Sequence, residues 1–247
     1  MRLRLLCCDV FLRYACGIIA KSPNIVDVEF VPMLAHNEPE RLRKELQERI
    51  NAGVRVRNYD KLLLGYGLCG NTTAGLTCEI PVIIPRVHDC CAMFLGSRER
   101  FAEEFGDALS MRWSSNGYYE RGHGDDNYNK HGFNAAYKTM PDYLQMIEQY
   151  GEENAEYIWE TMHPKIETKE AAYIKIDGYE FNDSLENFRK SVAESGTGLR
   201  LINGATSFLE ELINGPWDAE RFLHVPAGKK ITAVYDMETV FNAENIN

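Results

Sequence analysis

Net positive charge, long uncharged apolar runs and paired-cysteine spacing are all missing from this chain. Its 247 residues carry 27 Lys and Arg against 37 Asp and Glu, a net charge of −10. An anionic surface of that size argues against a nonspecific nucleic-acid or anionic-membrane binder, while leaving room for a local basic pocket. No uncharged apolar stretch reaches the roughly 18 residues that a membrane span needs. There is no CxxC pair, so the zinc-ribbon signature is absent, and the Walker pattern does not appear. No internal repeat is visible. Arg2 and Arg4 interrupt Leu3, Leu5 and Leu6, which reads as an opening strand and not as the apolar core of a signal peptide. A cytoplasmic chain with reduced thiols is therefore expected.

The composition that remains is that of a globular protein, with 45% hydrophobic and 26% charged residues. A chain of this length needs no disulfide staples. Its seven cysteines, Cys7, Cys8, Cys16, Cys69, Cys78, Cys90 and Cys91, are an odd number. Cytosolic cysteines that are not buried filler are more often metal ligands or catalytic groups than disulfide partners.

The first hundred residues alternate between strand and helix patterns. Strands are predicted at Leu3 to Cys8, Val26 to Val31, Lys61 to Gly65 and Pro81 to Pro85. Helices are predicted at Leu12 to Ala20, Glu38 to Asn51 (opened by Asn37 and Pro39), Gly70 to Cys78, and Ala92 to Phe105 with a break at Gly96-Ser97. The run Leu62-Leu63-Leu64 suits a strand buried on both faces. Such alternation predicts an α/β fold: a Rossmann-like, mostly parallel sheet with helices on both faces. A second α/β half is expected at the C-terminus, with a helix over Pro141 to Met162, strands near Ala171 to Ile176 and Leu199 to Ile202, and helices near Ser184 and Thr206. The divisions predicted are 1–110, an irregular aromatic and glycine-rich insertion over 111–140, and 141–247, with the two halves forming one compact unit.

In an open α/β sheet, ligands bind beyond the carboxyl ends of the strands. Cys8 ends the first strand, Cys69 follows the third in Gly65-Tyr66-Gly67-Leu68-Cys69-Gly70-Asn71, and His88-Asp89-Cys90 follows the fourth. With a strand order of 2-1-3-4 the first, third and fourth strands are neighbours about 4.8 Å apart, so three thiols could converge. His88 and Cys90 would share a face, with Asp89 opposite, and Cys7 and Cys8 would diverge. Cys8, Cys69, Cys90 and His88 would suit zinc or an iron–sulfur cluster, with His88 and Asp89 available for acid–base work. Against this stands the plain reading that free cysteines fill cores.

The loop from Gly65 to Gly75 is the second feature. Gly65 and Gly67 would allow close backbone approach, and Asn71 and Thr72 would cap a following helix or hold an anion such as phosphate or carboxylate. Arg86, Ser97 and Arg98 add donors. His123, Asp125, Asp126 and His131 read as a solvated loop, a metal site or a lid, and Trp113, Tyr118 and Tyr119 as core or pocket lining. His36, His163 and His224 read as structural. The aromatic helix from Tyr143 to Trp159 could form a homodimer interface or cover the sheet.

Four segments, Leu6 to Cys8, Leu62 to Leu76, Ile84 to Phe101 and Leu209 to Ile231, resemble a bacterial and archaeal family, the domain-of-unknown-function family 1638. Its most specific motifs are GYGLCG and HDC. The middle departs from the family pattern, with Met111-Arg-Trp-Ser-Ser-Asn-Gly117 in place of a tyrosine-rich strand and a Thr-Pro-Gly-Trp turn. The resemblance implies an α/β fold, motif cysteines at Cys8, Cys69 and Cys90, and a neighbourhood of corrinoid-dependent methyltransferases. The expected function is a metal-dependent enzyme acting on a small anionic metabolite, with methyl or one-carbon transfer as one version. The alternatives are a noncatalytic metal or corrinoid accessory protein, with corrinoid-methyltransferase proteins as partners, and a metal-free thiol enzyme using Cys69 with His88 as base.

Overall fold

The computed structural model describes residues 1–33, 39–106, 111–121, 141–151, 154–155, 157–158, 170–234 and 239–246. The first sheet contains β1 (Arg2–Cys8), β2 (Ile25–Val31), β3 (Lys61–Gly65), β4 (Val82–Pro85) and β8 (Phe222–Val225) in the order β2-β1-β3-β4-β8. The first four strands are parallel and β8 returns antiparallel to β4. The order of the parallel strands is the one expected from the sequence. β8 was not expected there. Its sequence, Phe-Leu-His-Val, fits a sheet edge but carries no trace of its partner.

The second sheet is parallel throughout, with β5 (Trp113–Ser115), β6 (Glu170–Lys175) and β7 (Gly198–Asn203) in that order. β5 lies inside the stretch expected to be irregular. β9 (Lys229–Ala233) and β10 (Phe241–Asn245) form an antiparallel hairpin. The helices are α1 (Leu12–Ile19), α2 (Pro39–Gly53), α3 (Cys90–Leu95), α4 (Arg98–Phe105), α5 (Asn116–Arg121), α6 (Pro141–Tyr150), α7 (Ser184–Glu194) and α8 (Ser207–Asn214). A 3-10 turn, Asp9–Phe11, joins β1 to α1.

The two sheets share a core. β1, β3 and β4 contribute Leu3, Leu5, Leu63 and Ile83, and the second sheet adds Ala172, Ile174 and Ile202 to the same cluster. Alternation along β6 sends Ala172 and Ile174 to this core, while Ala171 and Tyr173 pack with Phe188 and Val192 of α7. α8 lies against α1, α3, β3 and β4.

Local differences from the sequence reading have physical causes. The expected helix over Gly70 to Cys78 is a run of turns. Cys69, Gly70 and Asn71 have φ of 47°, 64° and 68°, the left-handed region from which a right-handed helix cannot start. The helix break at Gly96-Ser97 is present: Gly96 is left-handed, and the Ser97 hydroxyl accepts the Arg100 N–H at 3.0 Å. The helix expected across Pro141 to Met162 is interrupted at Gly151, where φ is +77°, and residues 154–155 and 157–158 beyond it are again helical. His36, His123, Asp125, Asp126, His131, Trp159 and His163 lie outside the described residues. No helix among the described residues is long and apolar enough to cross a membrane.

Candidate functional site

The strand register brings the motif residues to one edge. Leu5 pairs with Leu63 and Leu63 with Ile83, so β1, β3 and β4 end together, at Cys7-Cys8, Gly65 and Pro85. The loop after β3 is stitched to the segment after β4. The Leu68 N–H donates to the Val87 carbonyl at 2.9 Å and the Cys69 N–H to the His88 carbonyl at 2.8 Å. Gly67 is what permits this approach, since a Cβ there would stand 2.7 Å from the Val87 carbonyl oxygen. Gly65 likewise yields its space to the Cys7 sulfur.

Three thiols gather at this edge. Burial pushes Cys8, Cys69 and Cys90 well above the usual thiol range. After burial, the neighbours responsible are one another: Cys90 raises Cys8, Asp89 and Cys8 raise Cys69, and Cys69 and Asp89 raise Cys90. Cys7 turns the other way, its sulfur facing the Gly65 carbonyl at 3.7 Å. Cys69 occupies left-handed backbone that costs a non-glycine residue about 1–2 kcal/mol. Strain of this kind concentrates at functional sites.

Each remaining candidate has a defined setting. Asp89 is the N-cap of α3, and its carboxylate accepts from the Cys91 and Ala92 N–H groups at 2.9 and 3.4 Å. Cys90 is the first helical residue, so the extended alternation expected across His88-Asp89-Cys90 ends at Asp89. Burial raises the Asp89 carboxyl, and the cap bonds and then His88 pull it back. Thr72 bonds back to the Cys69 carbonyl at 2.8 Å, and Thr73 to that of Gly67 at 2.9 Å. The Asn71 carbonyl takes Arg43 from α2 at 3.0 Å. No helix N-terminus follows the loop, so the anion cradle expected from one is not formed there. Arg86 lies apart from the thiols in its bonding: its guanidinium donates to the carbonyls of Ala219, Thr239 and Phe241 at 2.9, 2.5 and 2.7 Å. Arg98 donates to the Glu220 carbonyl at 3.0 Å, and His224 meets the Trp217 carbonyl at 2.8 Å.

Sequence reasoning left Tyr66 and Tyr118 without a role at the thiols. Tyr66 is buried, and Cys8, Cys7 and Cys69 add to its upward shift after burial itself. The Tyr118 hydroxyl lies 2.5 Å from the Cys90 sulfur. Tyr118 comes from α5 of the second sheet, and Gly117 beside it packs on the Val10 carbonyl with no room for a side chain. The only signal for this was the aromatic cluster Trp113, Tyr118 and Tyr119, which carries no partner information.

Among the described residues, no group of three or more His, Cys, Asp or Glu side chains is arranged to hold a metal ion. By chemical type alone, thiols and a carboxylate would suit a soft cation. The fold and site thus define an α/β protein in which a mostly parallel sheet brings the Cys8, Cys69 and Cys90 segments, two buried thiols and one half-buried, to its carboxyl edge beside a second, parallel sheet. A family model described as "Protein of unknown function (DUF1638)" matches residues 30–213, and the chain belongs to that family. The matched span includes Cys69 and Cys90 and begins after Cys8. No curated protein and no solved structure matches the chain.

Proposed function

We propose that Cys8, Cys69 and Cys90 form a soft-metal centre, zinc or an iron–sulfur cluster, in a cytoplasmic enzyme acting on a small anionic metabolite. The observation that carries this reading is the shared edge at which β1, β3 and β4 end, where the Cys69 segment is hydrogen-bonded to the segment that leads into Cys90. Thiols crowded in this way are costly to ionise one by one and favourable to ionise together around a cation. The strand order, with Cys8 between β2 and β3 at the switch point, supports a Rossmann-like reading of the first sheet. His88 would be available there as a further ligand or proton-transfer group. A soft dication there would keep its thiolates deprotonated and activate a thiol or water bound beside them, which suits methyl or one-carbon transfer.

Metal analysis of protein purified anaerobically without a tag tests the proposal. Near-stoichiometric zinc, or iron with sulfide, is expected, and Cys69→Ser is expected to lose most of it. Wild-type metal content in that variant would sink the reading.

A noncatalytic metal or corrinoid carrier is the second reading. It is favoured by one observation: the carboxylate expected for acid–base work, Asp89, is committed to capping α3. His88→Ala separates the two, since an enzyme using His88 for proton transfer loses turnover while still binding, and a carrier keeps its cargo. The metal-free thiol reading gains nothing from thiols pushed upward by burial.

A further inference from the structure

We infer that β7 is a subunit interface: the outer edge of the second sheet pairs with β7 of a second copy of this chain, antiparallel across a twofold axis at Leu201. Two three-stranded sheets thereby become one of six. The inference stands apart from the proposed thiol centre and uses none of its residues.

β7 is the outermost strand of its sheet, and the direction of its free backbone groups is set by its register. Asn203 pairs with Lys175 of β6, and the Gly204 N–H donates to the Lys175 carbonyl at 2.7 Å. Backbone groups alternate in direction along a strand, so those of Arg200, Ile202 and Gly204 face β6. Those of Leu199, Leu201 and Asn203 face outward, and no hydrogen bond meets them among the described residues. The strand holds no proline or lysine, and its register with β6 runs without a bulge. The other sheet edges are guarded: β2 carries Asp27 and Glu29, β5 has three residues, and β10 packs against β8. Leu201 stands 52% exposed in the middle of β7.

A second copy is favoured over a foreign strand because this edge complements itself. Outward-facing residues must stand opposite one another to exchange N–H and C=O bonds. A twofold axis at Leu201 achieves that: Leu201 meets Leu201 of the second copy, Leu199 meets its Asn203, and Arg200 meets its Ile202. No like charges stand opposite. The one charged residue of the strand, Arg200, is matched within its own chain by Glu104 and Glu170. Ile202 belongs to the shared core and Leu199 packs on the cluster beneath α7. Alternation puts Leu201 on the α7 side, where its twin across the axis would cover it. A contact of this isologous kind closes at two copies and leaves no β7 edge open.

Sedimentation velocity on the reduced full-length protein, across a concentration series, tests the pairing. Wild type is expected to pass from monomer to dimer as concentration rises. Leu201→Lys and Leu201→Glu each set like charges opposite at the axis, and each is expected to self-associate about tenfold or more weakly. Both should keep the wild-type near-UV circular dichroism spectrum, because the side chain lies outside the core. An equimolar mixture of the two variants is expected to associate more tightly than either alone. A wild type that stays monomeric overturns the inference, whatever else occupies the edge. So does a dimer that both variants leave unchanged, and so does a mixture that gains nothing over the separate variants.

Discussion

Asp89 carries two opposed effects that substitution can separate. As N-cap it bonds two N–H groups of α3, and as a buried carboxylate it pays for desolvation and repels Cys69 and Cys90. Asp89→Ala should lose the cap, about 1 kcal/mol in urea unfolding. Asp89→Asn keeps an accepting oxygen without the charge. It should unfold at the same or a higher urea concentration at neutral pH. The sign follows from the raised carboxyl: stability linked to it is full at low pH and falls as pH rises through the folded-state value. The Asn variant should lack that fall. The thiols make a second prediction. In metal-free protein iodoacetamide should label exposed Cys16 first, and labelling of Cys69 should climb steeply with pH, because burial and Asp89 suppress its thiolate near neutrality. Peptide mapping reads both, and rapid labelling of Cys69 at pH 7 would refute the electrostatic picture. At this scale the three cysteines were legible from strand-end position. Tyr118 was not, because a contact across two sheets leaves no mark on local spacing.

Arg86 shows how one side chain can join elements. It leaves the end of β4 and clamps the Ala219 carbonyl before β8 and those of Thr239 and Phe241 at β10. Arg86→Ala should lower unfolding stability by about 1.5–3 kcal/mol, the scale of charge-assisted hydrogen bonds. It should leave metal loading per folded molecule unchanged. Loading lost in proportion to a selective weakening of anion binding would instead return Arg86 to the site. The first four strands and their helices were readable because apolar runs and caps are local signals. The helix expected after Gly70 failed because Cys69 and Asn71, neither of them glycine, adopt left-handed backbone that composition does not announce. β5 failed for its brevity: three residues are too few for a period to show.

At the scale of the whole molecule, an occupied thiol centre should behave as a ligand bound only to the folded state. Zinc at about a hundred times its dissociation constant would add about 2.7 kcal/mol. Calorimetry with and without chelator should register that gain in wild type and its loss in Cys69→Ser. The gain should shrink as pH falls, since protons compete for the sulfurs. The pairing of β8 with β4 bears on how the chain comes to be folded. β4 ends at Pro85 and its antiparallel neighbour begins at Phe222, while Ile231 exchanges hydrogen bonds with the Gly75-Leu76 turn behind Cys69. During synthesis, which runs from the N-terminus at about 5–20 residues per second, the thiol loop waits for Phe222 to Ile231 to be made before its final contacts exist. The nascent chain thus carries this edge open until those residues are made, a window of access that the folded protein withdraws.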